Sequence, residues 1–330
     1  MKLNVIIPTY NRAKLLVKTL QSVENADVPP NLEIEITVVN NNSSDETEKI
    51  VKDLQPSFKK IKLNYLFEPE QGRSVAVNTG IGQADGDLVA MIDDDIQIKK
   101  NWFVEIEKIF SQRGDEIDFI GGKVLPIWEI EPPDWVRSIK DVGICWRDYG
   151  EEEWQYSTET PILTGGHAVL KKKIFAEIGL YAEELGVKKK NLASCEDDVM
   201  FDKLLEAGKK GIYSPKLVVH HYVSAHRLTK NYYRQWHFGA GMSWDLVEQN
   251  YKPYQGAKIL RVPRYLYKEA GSGVLRKIGA MLSFNRSGSL KAEKQILVFL
   301  GFFYARNIKN SKINNPLQKL VKRTIGIAER

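Results

Sequence analysis

The stretch Leu88-Val89-Ala90-Met91-Ile92-Asp93-Asp94-Asp95 decides the fold. Five apolar residues without a polar break fit a strand buried on both faces, as in a parallel sheet covered by helices. Three acids follow at the strand's carboxyl end, the place where open α/β sheets bind ligands. Adjacent carboxylates repel one another unless a cation sits between them. Oxygen donors suit Mg²⁺ or Mn²⁺, and Mg²⁺ commonly takes one or two carboxylates together with substrate phosphates. The plain alternative is a solvated acidic turn.

The same strand-then-polar pattern recurs outward from this stretch. Residues 3–7 form a short β-branched run stopped by Pro8, and Leu15, Leu16, Leu20 and Val23 then recur at helical spacing. Residues 34–39 read as a second strand, ending in Asn40-Asn41-Asn42-Ser43-Ser44-Asp45. Ser44 or Asp45 can cap a helix over 46–54. A third strand is predicted over 61–67 and a helix over 74–83. Strand–helix alternation predicts an α/β fold, a mostly parallel sheet with helices on both faces. The polar clusters at 10–12, 40–44 and 93–95 then converge at one end of that sheet. Gly72-Arg73, opening the third helix, can approach an anionic or planar ligand. No GxGxxG follows the first strand and no GxxxxGK[ST] occurs, which argues against a dinucleotide dehydrogenase and a P-loop ATPase.

Farther along, residues 123–164 look irregular and carry Trp128, Trp135, Trp146 and Trp154. Helices are predicted over 170–178 and 197–207, and a late strand over 217–221. Glu196-Asp197-Asp198 opens the second of these helices, where the dipole favours acids with or without a catalytic duty. The functional alternative is a catalytic base. His220-His221 ends the late strand, one ring to each face. Beyond residue 230 the pattern is helical, aromatic and basic. The expected organisation is a catalytic domain over 1–230 and a helical, basic region over 231–330.

Composition narrows the class. Of 330 residues, 43% are hydrophobic and 27% charged, an ordinary globular balance. Two cysteines, Cys145 and Cys195, leave no disulfide framework and no CxxC pair, and point to a reducing compartment. The net charge of +6 is uneven: residues 257–330 hold 16 Lys and Arg against Glu269, Glu293 and Glu329. Such a segment is expected to meet an anionic surface. No nucleic-acid-binding motif accompanies it, so nucleic acid is not an expected partner. The apolar run 296–305 is about half the roughly 20 residues of a membrane span. Flanked by Lys291, Lys294, Arg306, Lys309 and Lys312, it is either an interfacial helix or a helix packed on the rest of the chain. The expected location is cytoplasmic, peripheral at the inner face of the membrane.

Taken in order, these segments resemble the family 2 glycosyltransferases, which have the nucleotide-sugar-binding GT-A fold. The resemblance rests on Val5-Ile-Ile-Pro-Thr-Tyr-Asn-Arg12, Val38-Val-Asn-Asn-Asn-Ser-Ser-Asp45, Gly72-Arg-Ser-Val-Ala-Val-Asn-Thr-Gly80 and the DxD-like Asp93-Asp94-Asp95. It extends through Thr164-Gly-Gly-His167, Cys195-Glu-Asp197 and His221-Tyr-Val. It implies that Pro8, Tyr10, Arg12, Asn40, Asn41 and Arg73 line the nucleotide, while Asp93 and Asp94 bind ribose and diphosphate. It further implies that Asp95 and His221 hold the metal, that Asp197, beside Glu196, is the base, and that Gly166, His167 and Trp135 lie on the acceptor side. Asn stands at 40 where the family commonly has Asp, and Val77 where Arg is common.

The expected function is a metal-dependent inverting transfer from a nucleotide-diphosphate sugar, UDP-linked by this reading. The acceptor is a hydroxyl of a glycan or lipid-linked molecule in surface-polysaccharide assembly. The expected cofactor is Mn²⁺ or Mg²⁺, and self-association of the chain is a further expected contact. A sugar-phosphate nucleotidyltransferase is the nearest enzyme alternative, though its glycine-rich loop has no counterpart in Pro8-Thr9-Tyr10-Asn11-Arg12. The non-enzyme alternative is a nucleic-acid-binding protein using the basic segment.

Overall fold

Eight residues of β1 (Lys2–Thr9) form the axis on which the sheet is built, seven of them buried. The structure, a computed structural model, describes residues 1–140, 143, 145–186 and 195–309. β1 pairs in parallel with β2 (Glu33–Asn40) and with β4 (Leu88–Ile92), and β2 pairs in parallel with β3 (Lys62–Phe67). Between them run α1 (Ala13–Glu24), α2 (Thr47–Leu54) and α3 (Arg73–Gln83). The chain continues through β5 (Ile96–Ile98), α4 (Trp102–Arg113), β6 (Phe119–Trp128), α5 (Asp134–Ile139), β7 (Trp154–Gln155), β8 (His167–Lys171), α6 (Ile174–Ile178), α7 (Glu196–Glu206) and β9 (Gly211–Val223). The sheet runs β3-β2-β1-β4-β8-β6-β9-β5, with β7 on β9. Past β4 the pairings of β8 with β4 and β6, and of β9 with β5 and β7, are antiparallel.

Alternation along the strands separates two cores. Val5, Ile7, Ile36, Val38, Ala90 and Ile92 face Leu16, Leu20, Trp102 and Phe103 on one side. Ile6, Val39, Val89 and Met91 face Ala76, Val77, Met200 and Phe201 on the other. Both faces are thus covered, and all five residues of β4 are buried.

Three expectations are corrected here. Residues 170–178 are not one helix: the strand β8 is followed by the short α6. Residues 167–170 are buried without interruption, so they carry neither period in sequence. The expected irregular segment 123–164 begins inside the ten-residue strand β6 and contains α5 and β7. Neither Ser44 nor Asp45 is the cap residue of α2; that position is Glu46. Asp45 instead accepts from the backbone N–H of Thr47 and of Ala13, so it ties together the starts of α1 and α2.

The chain divides into two compact units. The first holds residues 1–127, 145–189 and 196–222, and the second 128–144, 190–195 and 223–330. In the second, α8 (Lys230–Asn250) is capped by the Thr229 hydroxyl, which accepts from the Tyr232 N–H. A small hairpin of β10 (Lys258–Ile259) and β11 (Val262–Pro263) leads to α9 (Arg264–Leu282) and α10 (Arg286–Asn307). α8 and α10 cross closely at glycines. A Cβ on Gly241 would lie 2.1 Å from the Val298 carbonyl oxygen, and one on Gly301 2.0 Å from that of Phe238. Leu297 and Phe302 are buried, so the apolar run 296–305 packs within this unit. Arg306 pairs with Asp245 and Glu248 in the same unit. Lys312 and the rest of the basic segment, 310–330, lie outside the described residues. Among the described residues no helix is long and apolar enough to cross a membrane.

Candidate active site

The first unit brings the strand-end clusters together. Asn11 and Asn42, both with positive φ, turn the chain sharply after β1 and β2. Asn tolerates that conformation better than most residues because its short side chain bonds locally. Asn11 Oδ1 accepts from the Ser44 N–H at 2.7 Å, and the Asn11 N–H donates to Ser43 Oγ at 3.0 Å, so the two turns brace each other. Pro8 is buried within β1, while Tyr10 is 40% exposed just beyond it.

Asn40 uses both ends of its amide. Its Oδ1 accepts from the Ser43 N–H at 2.9 Å and its Nδ2 donates to the Tyr65 hydroxyl at 3.0 Å. Asn41 spans the next loop, donating to the Glu70 carbonyl at 2.6 Å and accepting from the Gly72 N–H at 2.8 Å. These bonds place Gly72 and, one residue on, Arg73 at the start of α3.

The three acids after β4 have separate partners. Asp94 accepts from the Thr9 hydroxyl at 2.8 Å and from Arg12 at 3.1 Å. Arg12 also donates to Asp95 Oδ2 at 2.8 Å. Burial first, and the like charge of Asp95 with it, pushes Asp94 up to about 7 despite Arg12. Asp93 is bound by Arg73, whose Nε and Nη2 both reach Asp93 Oδ1, at 3.0 and 2.8 Å. Burial would raise Asp93, but the guanidinium outweighs it and holds this carboxyl below its ordinary value.

Arg73 extends the cluster to α7. Its Nη1 lies 3.4 Å from Glu196 Oε1 and 3.7 Å from Asp197 Oδ1. The Glu196 side chain is 5% exposed and that of Asp197 25%. Asp197 Oδ2 accepts from the Gly165 N–H at 2.9 Å. Burial, then the Asp197 charge, pushes Glu196 up to about 8. Burial also raises Asp197, opposed by Arg73 and the Gly165 bond. The backbone approaches so closely that a Cβ on Gly165 would lie 1.9 Å from Asp197 Oδ1, and one on Gly166 2.3 Å from Asp93 Oδ2.

Asp95 and His221 meet where β5 follows the acids and pairs with β9. Asp95 Oδ1 lies 3.4 Å from His221 Nε2, with both side chains buried. Two neighbouring ligands of one octahedral cation stand about 3 Å apart at the metal–oxygen distances of Mg²⁺, so this carboxylate–imidazole pair fits a divalent ion. Among the described residues no group of three or more His, Cys, Asp or Glu side chains is arranged to hold a metal.

Two sequence-predicted residues have aromatic partners of their own. His167 is buried, its Nε2 accepting from the Trp102 indole at 3.0 Å, and burial drives its pKa down to about 3. It is a neutral core residue. Trp135 lies in the second unit, edge-on to Tyr233 with ring centroids 5.8 Å apart. Sequence reasoning missed Arg73 as the link between Asp93 and the Glu196–Asp197 pair. It also missed Thr9 and the Gly165 N–H as anchors of carboxylates. Gly72-Arg73 was the only local sign of the first, and the Gly165-Gly166 pair of the last.

Known proteins share this chain's sequence family and its fold. The profile of Glycosyl transferase family 2 matches residues 4–179. A GalNAc(5)-diNAcBac-PP-undecaprenol beta-1,3-glucosyltransferase of Campylobacter jejuni is 39% identical over 97 residues, 29% of this chain and 30% of that protein. A glucosyl-dolichyl phosphate glucuronosyltransferase of Haloferax volcanii is 25% identical over 239 residues, 69% of this chain and 71% of that protein. Among solved structures, the mannosyltransferase from Pyrobaculum calidifontis in complex with GDP-Man and Mn²⁺ superposes with a TM-score of 0.60 at 18% identity, covering 93% of this chain and 87% of that one. Since the profile spans more than half of the sequence and the sheet follows the same architecture, the chain belongs to glycosyl transferase family 2 and has the GT-A fold.

Proposed function

We propose that this chain is an inverting glycosyltransferase. Its donor is a nucleotide-diphosphate sugar, UDP-linked by our reading, and its acceptor is a hydroxyl of a glycan or lipid-linked molecule in surface-polysaccharide assembly. One observation carries the proposal: Arg73 joins Asp93, at the end of β4, to Asp197, at the start of α7. A leaving-group site and a general base are thereby held by one guanidinium while remaining separate groups.

In this reading Asp197 takes the proton from the acceptor hydroxyl. It is the more exposed carboxylate of its pair, and the Gly165 N–H aims it. Burial raises its pKa, which makes it a stronger base than an ordinary aspartate. The acceptor oxygen bonds to the anomeric carbon as the bond from that carbon to the diphosphate oxygen breaks. Attack from the face opposite the leaving group inverts the anomeric centre. Asp93, kept ionised by Arg73, accepts hydrogen bonds from the ribose hydroxyls. Arg12, partly exposed beside Asp94 and Asp95, places positive charge near the diphosphate. Asp95 and His221 would hold Mn²⁺ or Mg²⁺, whose charge, when bound, offsets that of the departing diphosphate. Asn40 has one carbonyl lone pair in use, and the second suits the N3–H of uracil. Tyr10 offers an exposed ring for stacking. The lipid phosphates in the names of the Campylobacter and Haloferax relatives support a lipid-linked acceptor. GDP-Man and Mn²⁺ in the Pyrobaculum complex support a nucleotide sugar and a divalent ion.

The test is thermal shift against UDP-, GDP- and CMP-sugars with and without Mn²⁺. A ligand that binds only the folded state raises the midpoint, by about 2.7 kcal/mol of added stability at a hundred times its Kd. UDP-sugars should give the largest Mn²⁺-dependent shift. A larger shift with GDP-sugars would overturn the base assignment, and no shift with any nucleotide sugar would overturn the function.

A further inference from the structure

The second half of α9 leaves an apolar face in solvent. Leu275 is 72% exposed, Ile278 50%, Met281 61%, Leu282 78%, and Phe284, in the turn to α10, 92%. At roughly 100° per residue, Val274, Leu275, Ile278, Met281 and Leu282 fall within about a third of the helix circumference. The inner face of α9 is packed, with Leu266, Ala270 and Gly273 buried. These three precede the stripe; over 274–282 no residue is buried, and this half of α9 is tied to α10 by Lys277, which donates to Glu293 at 2.9 Å.

Cations surround the stripe. Arg264 and Lys268, both exposed, continue its line toward the start of α9. Arg286 is exposed just after it, whereas Arg276, exposed too, lies on the opposite side of the helix. Beside Met281 and Phe284 lies a cleft of about 340 Å³ that is also lined by Lys230, Arg234 and Arg286. The acid in that cleft, Glu293, is engaged by Arg234 at 2.7 Å and Lys277 at 2.9 Å.

We propose that the C-terminal half of α9 and the α9–α10 turn form a docking face for the surface of an anionic phospholipid bilayer. Amphipathic helices lie in the membrane interface by inserting apolar side chains while Lys and Arg meet anionic headgroups. Both components occur in this one face. A second copy of the chain would set this cationic rim against its own like in a two-fold interface. Nucleic acid would meet the cations but leave six large apolar side chains in water. The face differs from the run 296–305, whose Leu297 and Phe302 are buried. The inference is independent of the glycosyl-transfer reading, because its test needs no donor sugar.

The experiment is flotation of the full chain with phosphatidylcholine vesicles and with phosphatidylcholine–phosphatidylglycerol vesicles, at low and high salt. The protein should float with the anionic vesicles, and high salt should weaken the binding. The variant Leu275→Ser/Leu282→Ser/Phe284→Ser should partition at least about tenfold less, with unchanged circular dichroism. The single variant Phe284→Ser, at a site 92% exposed, removes no packing and should by itself weaken partition measurably. Wild-type-like flotation of the triple variant overturns the proposal. So does equal binding to neutral and anionic vesicles. Failure of the wild type to float, with dimers in light scattering that the triple variant abolishes, would assign the face to a second copy and overturn it as well.

Discussion

Arg73 sits among three carboxylates, and its neighbours divide the labour by burial. Asp197 is the exposed member of its pair and Glu196 the enclosed one. Asp197→Asn should therefore lower kcat by about 10²-fold or more while donor thermal shifts stay near wild type. Glu196→Gln should stay within several-fold of wild type and keep the rise of kcat with pH. The opposite ranking would move the base one residue upstream. The pair also couples stability to pH. Both carboxyls are raised in the folded state, so the native protein holds their protons more tightly than the unfolded chain. Their stabilisation is fully present below the ordinary carboxyl value and declines as pH rises, for Glu196 up to about 8. Urea unfolding of Glu196→Gln between pH 5 and 8 should show a smaller decline than wild type. Gly165 is a second test at this scale. A methyl group there meets Asp197 Oδ1 at 1.9 Å, so Gly165→Ala should displace the base and reduce kcat without loss of fold. Normal turnover in that variant would separate the Gly165 contact from catalysis.

At the level of elements, close approach of helices is decided by single glycines. Gly241 on α8 and Gly301 on α10 let the two backbones meet, with Cβ positions 2.1 and 2.0 Å from carbonyl oxygens. Backbone cannot yield as a flexible side chain can, so Gly301→Ala should cost at least the 1–3 kcal/mol typical of overpacking, about that or more. The measurement is the urea midpoint, and an unchanged midpoint would show that the crossing is looser than described. The mostly parallel half of the sheet has the complementary logic. β4 is buried on both faces because α1 and α4 cover one side and α3 and α7 the other. Its carboxyl end leads into Asp93–Asp95, of which Asp93 is partly exposed and Asp94 and Asp95 are buried.

Across the whole molecule, the second unit is assembled from separated pieces of sequence. Residues 128–144 belong with 223–330, so α5 packs in a unit whose main helices come about a hundred residues later. Val136 is 1% exposed, and Trp135 lies edge-on to Tyr233. Truncation after residue 229 should strip α5 of these partners. Increased binding of the dye ANS and a lower thermal midpoint are the expected results. A truncated chain as stable as the full one would mean that α5 is held by other contacts. Charge behaves similarly at this scale: the basic helices neutralise part of their excess internally, through Arg306 with Asp245 and Glu248 and through Arg234 and Lys277 with Glu293.

Local pattern determined the strands β1 to β4, the helices between them and the convergence of the polar clusters, because a strand covered on both faces leaves an unbroken apolar run that ends where ligands bind. The same pattern merged β8 into a helix, since fully buried residues carry no period. Residue chemistry marked Asp93–Asp95 and Glu196–Asp197, but not that one guanidinium joins them, because a contact across more than a hundred residues leaves no trace in spacing. The two histidine-bearing segments diverged for a similar reason. By resemblance His167 is expected on the acceptor side and His221 at the metal. Burial against Trp102 made the first a neutral core ring, while pairing of β5 with β9 set the second beside Asp95. Composition singled out the apolar run 296–305 for membrane or core, and only packing against α8 showed that it is buried while the end of α9, which the sequence reading did not single out, stays exposed.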